Sequence, residues 1–147
     1  MEHFEIISEQ TSLEIGEKSI YGTLFIKIGE KFFPHNQWGD LVVECLNMWV
    51  DNAIMLYKGK RGYKEKFYFM DGPYYYFIEK QNETESLLSF YSYDNLSNQT
   101  IVKLKNVLCE ILKTAEQLLY WLREESGKEK VIHELEQGIL SLKSYLN

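Results

Sequence analysis

Cysteine and proline are scarce in this sequence, with two of each among 147 residues, so neither a disulfide scaffold nor a collagen-like chain is expected. Cys45 and Cys109 stand alone inside apolar segments instead of forming a CxxC pair, which predicts reduced core thiols, a cytoplasmic setting and no zinc or redox site. Long apolar runs are also missing, and nothing approaches the ~18 uninterrupted apolar residues of a membrane span. The opening Met1-Glu2-His3-Phe4-Glu5 lacks the basic-then-apolar order of a secretory leader. The triplets beginning at Asn82, Asn95 and Asn98 match the glycosylation pattern, but in a chain that is not secreted they read as turn and capping residues.

Positive charge is in short supply. Sixteen basic residues against 22 acidic ones leave a net charge of −6, which disfavours nucleic acid and anionic membranes and favours a basic protein partner. Catalytic signatures are missing as well: there is no G-x-S-x-G, no P-loop and no dinucleotide fingerprint. His133-Glu134-Leu135-Glu136-Gln137 approaches the zinc-protease helix motif, but Gln137 stands where the second histidine ligand is needed. No catalytic residue, metal or cofactor is therefore assigned, and the chain is expected not to be an enzyme.

What is present is enough hydrophobic sequence, 45%, to fill the core of one domain over residues 1–147. Tyr21 to Ile28 alternates with period two and Phe4 to Ile7 is a shorter strand candidate. From Asp40 to Leu56 the period changes to that of a helix, with Val42, Leu46, Trp49, Ala53 and Leu56 on one stripe. Asp40, Glu44 and Asp51 line the opposite side, with Asp40 the expected N-cap. The basic stretch Lys58 to Lys66 reads as a solvated helix-to-strand connection, with phosphate binding as the competing reading.

Two-residue alternation returns in an aromatic hairpin. Tyr75 and Phe77 alternate against Tyr74, Tyr76 and Ile78 after the turn Asp71-Gly72-Pro73, and Leu87 to Tyr93 adds a third antiparallel strand. Tyrosines on both faces imply exposed rings around Tyr74, Tyr75 and Tyr76, and exposed tyrosines are favoured interface anchors. The last third carries two helical stripes, Ile101 to Leu122 and Ile132 to Leu146, joined through Ser126-Gly127, which predicts an antiparallel helical hairpin over 98–147 packed on residues 1–93. Gly138, inside the second stripe, is expected to mark a close approach.

These segments together predict an α+β fold: a mostly antiparallel sheet crossed by one amphipathic helix, with the helical hairpin beside it. The candidate partner-binding residues are Asp40, Glu44, Asp51, Tyr74, Tyr75 and Tyr76.

The residues Phe33-Pro34, Trp38, Asp40, Trp49 and Met70-Asp71-Gly72-Pro73-Tyr74 form a pattern that resembles a poorly characterised bacterial group associated with toxin systems. The resemblance covers roughly the middle half of the chain and implies an immunity protein that binds and neutralises a toxin. It carries over no catalytic residue. The alternative from another class is a small-ligand module or minor enzyme with a pocket between sheet and helix, lined by Trp38 and Trp49.

Overall fold

The computed structural model describes residues 1–146, which fold into two antiparallel sheets and three helices, an α+β arrangement. The spine of the first sheet is β3 (Ile20–Ile28), flanked by β1 (Phe4–Ser8), β2 (Glu14–Ile15), β4 (Lys31–Phe33) and β5 (Gly39–Leu41). The second is a meander of β6 (Lys64–Tyr68), β7 (Tyr74–Lys80), β8 (Glu85–Ser92) and β9 (Asn95–Lys103) in that order.

One continuous sheet was the expectation from sequence, and the register explains why there are two. Along Ile26–Ile28, β3 pairs with both β1 and β4, and at Tyr21 with both β2 and β5. Both of its hydrogen-bonding edges are therefore occupied, so the meander packs against this sheet instead of joining it. Phe33 bridges the two by meeting Phe69 and Phe90, and Phe4 meets Tyr76.

Helix α1 (Val42–Lys58) buries Cys45, Leu46, Trp49, Ala53 and Leu56 toward this junction, the stripe its spacing predicted. The chain then turns through a basic connection to β6, where Lys80 Nζ donates to the carbonyls of Tyr57 and Gly59 and satisfies the end of α1.

The second correction concerns residues 95–103. They form β9 and not the start of the hairpin, because Ile101 belongs to a two-residue alternation that ends in buried Val102. Helix α2 (Leu104–Leu122) begins only there and is followed by α3 (Glu129–Leu146). Glu116 pairs with Lys143 and Arg123 with Glu136, so advancing along α2 means retreating along α3, and the two helices are antiparallel. Gly138 does mark a close approach: a Cβ there would stand 3.3 Å from Val50 Cγ1 on α1.

Tyr76 is the centre of the core and a correction to its predicted exposure. It is wholly buried, stacked on Phe67 at 4.9 Å and in contact with Trp49, Phe69 and Phe90. Among the described residues its hydroxyl has no hydrogen-bond partner, and burial holds that phenol well above its ordinary pKa. An unpaired buried hydroxyl carries a desolvation cost with no return, so Tyr76→Phe is expected to raise the unfolding free energy by about 1 kcal/mol, read by urea denaturation.

Candidate functional site

The residues that carried the resemblance lie far apart in sequence and come together at one node. Asp40 sits in β5 and is fully buried; the residue before α1 is Leu41, which makes no side-chain cap. Asp40 is thus neither the N-cap nor part of an exposed acidic face. Its Oδ2 accepts the Trp38 indole N–H at 3.1 Å, while Oδ1 accepts the Leu41 amide at 2.7 Å and the Asp71 amide at 3.1 Å. A carboxylate serving three N–H donors is satisfied internally, and it ties the start of α1 to the turn between β6 and β7.

Around that node the Tyr21 hydroxyl lies 2.8 Å from the Gly39 carbonyl and 3.3 Å from Asp71 Oδ2. Burial first, and the Asp71 carboxylate second, hold this phenol above its usual pKa. His35 Nε2 is 3.1 Å from the Tyr74 hydroxyl, and the Tyr74 ring packs edge-on against Trp38 and Phe33. Trp49 is wholly buried, its indole N–H donating to the Tyr68 carbonyl at 2.7 Å, so it packs the space where a pocket between sheet and helix was envisaged. Burial and the neighbouring Asp40 push the Cys45 thiol far up, which keeps it protonated and unreactive. Cys109, expected in the core, is instead exposed on α2.

The arrangement on the other side of the meander differs in kind. Cross-strand register sets Lys66 opposite Phe77 and Tyr68 opposite Tyr75, with Tyr75 in turn opposite Tyr91, all on the sheet face that no helix covers. Tyr75 and Tyr91 stack at 5.2 Å with 11° between planes. Lys66 Nζ lies 4.0 Å from the Tyr75 ring centroid and Lys64 Nζ 4.3 Å from that of Phe77, cation–π contacts that leave both ammonium groups without an ion-pair partner among the described residues. Asp94 accepts the Tyr75 hydroxyl at 2.8 Å and, with some desolvation, raises that phenol to about 12, so it stays a neutral donor through the physiological range. The result is an aromatic platform ringed by charge, capable of burying apolar surface while offering hydroxyls to a partner.

Of the six residues expected to bind a partner, the structure exposes Glu44 and Asp51 and leaves two half-buried, Tyr75 on the outer sheet face and Tyr74 in the His35–Trp38 cluster. Asp40 and Tyr76 are interior. Glu44 and Asp51 do not share a face with Tyr75, because α1 lies on the inner side of the meander, against Tyr76. Phe77, Tyr91 and Tyr68 were missed as site residues, while Lys64 and Lys66 read in the sequence only as part of the basic connection. The Tyr75–Phe77 alternation carried their signal, since it separated the exposed face from Tyr74 and Tyr76.

Among the described residues no group of three His, Cys, Asp or Glu side chains could hold a metal ion, and His133 is exposed on α3 with Gln137 one turn away. Among the same residues no helix is long and apolar enough to cross a membrane. No family model, curated protein or solved structure matches the chain.

Proposed function

We propose that this chain is a non-catalytic protein-binding domain, an immunity-like inhibitor that masks a basic bacterial toxin domain in the cytoplasm. The observation that carries the proposal is the uncovered aromatic face of Tyr68, Tyr75, Phe77 and Tyr91, since a folded domain seldom leaves so many rings on one sheet face without a use for them. The resemblance carried by Phe33-Pro34, Trp38, Asp40 and the Met70-to-Tyr74 segment supports the same reading.

Two physical roles divide between the two surfaces. The net charge of −6, with Glu44 and Asp51 exposed on α1, attracts a basic partner at long range, and the aromatic face supplies the buried contact that holds it. Co-expression tests the proposal: the chain should restore growth to cells producing a basic toxin domain taken from a neighbouring gene, and failure to do so would remove the immunity reading. Exchanging Glu44 and Asp51 for lysine should slow association several-fold and flatten its dependence on salt, with little change in the dissociation rate, as measured by stopped-flow mixing. Unchanged association at low salt would show that the α1 face takes no part.

A further inference from the structure

The long sheet edges of this protein are closed by specific devices, with one exception. On β1, the amides of Phe4 and Ile6 donate to Asn106 Oδ1 and Glu110 Oε1, side chains one helical turn apart on α2, and Asn106 returns a bond to the Phe4 carbonyl. The β6 edge spans five residues, carries Lys64, Glu65 and Lys66, and has its Tyr68 carbonyl taken by Trp49. The first sheet's other strands, β2, β4 and β5, are two or three residues long. Short length, charge and covering groups are the usual protections of an edge.

β9 is neither short nor covered, and its one charge is Lys103 at its end. It runs nine residues, is mostly exposed, contains no proline, and carries no charge from Asn95 to Val102. It hydrogen-bonds β8 on one side, and among the described residues its backbone makes no hydrogen bond elsewhere.

We infer that β9 pairs antiparallel with β9 of a second copy of this chain, about a two-fold axis at Gln99. The register follows from the strand's own irregularity. Phe90 pairs with Asn98 but Tyr91 with Leu96, so Ser97 is a bulge and Leu96 returns to the face shared by Gln99 and Ile101. Counted through that bulge, the two-fold sets Ile101 of one copy against Leu96 of the other and Lys103 against Asp94. Each pair occurs twice. Leu96 is 51% and Ile101 36% exposed in the single chain, and each would gain an apolar neighbour; Lys103 and Asp94 are opposite charges at opposite ends of the join. A chain of net charge −6 thereby meets itself through the uncharged stretch Asn95–Val102, flanked by attractive pairs. The product is a continuous eight-stranded sheet from two four-stranded ones, with both aromatic faces on the same side.

This pairing stands apart from the toxin-binding proposal and is tested without a partner. Sedimentation equilibrium of the purified chain should give twice the 17.5 kDa monomer mass, with dissociation on dilution. Gln99→Lys and Gln99→Glu each place like charges on the axis and should weaken dimerisation roughly hundredfold while leaving the circular dichroism spectrum unchanged. An equimolar mixture of the two variants should restore the dimer. A wild-type chain that stays monomeric at its solubility limit would overturn the inference, as would a dimer indifferent to both variants or a mixture that fails to reassociate.

Discussion

Replacing Asp40 with alanine is expected to lower the unfolding free energy by about 3 kcal/mol and the melting temperature by roughly 10 °C. The carboxylate is fully buried and receives N–H bonds from Trp38, Leu41 and Asp71, so alanine leaves three part-buried donors without their shared acceptor. The turn leading into β7 should loosen with it, because the Asp71 amide loses its only described acceptor on the α1 side. Asp40→Asn keeps the volume and one acceptor oxygen and should lose less. Glu44→Ala, a change at an exposed carboxylate of the same region, should stay within about 0.5 kcal/mol. Urea denaturation of the three variants separates the account from one in which Asp40 is a surface or capping residue, for then Asp40→Ala and Glu44→Ala would behave alike.

Removing the stacked pair with Tyr75→Ala and Tyr91→Ala should raise the dissociation constant for the proposed toxin partner by a few hundredfold, almost all of it in the dissociation rate. These rings lie 5.2 Å apart on the uncovered face, and neither belongs to the hydrophobic core. The cost to folding should be small, about 1 kcal/mol for a lost cross-strand aromatic pair. Surface plasmon resonance on the double variant, with circular dichroism to check the fold, distinguishes the two losses. Tyr76→Phe serves as the internal comparison, since a buried ring should stabilise the fold and leave binding unchanged.

The elements with a full period were legible in the sequence. The α1 stripe from Val42 to Leu56, the Tyr75–Phe77 alternation and the two C-terminal helical stripes each reappear in the structure. What failed did so for identifiable reasons. Ile101 sits three residues before Leu104 and fits a helical spacing by coincidence, so the end of β9 reads as the start of α2; only its pairing with Leu87 fixes it as strand. Asp40 precedes an apolar stripe as an N-cap would, but its true partners, above all the Asp71 amide, are 31 residues away and invisible to local pattern. Alternation separated Tyr75 from Tyr76 without saying which face met the core. That was decided by Phe4, Trp49 and Phe90, which arrive from three other elements. The β2, β4 and β5 segments are too short to show any period.

Equilibrium binding between this chain and the basic toxin domain proposed as its partner, measured by isothermal titration calorimetry for the wild type and for the Tyr75→Ala, Tyr91→Ala variant, decides whether the aromatic face is a binding surface. A saturable complex with one toxin domain per chain is expected for the wild type, and a severe loss of affinity for the variant. A wild-type chain that does not bind, or a folded variant that binds as tightly as the wild type, would contradict the proposal.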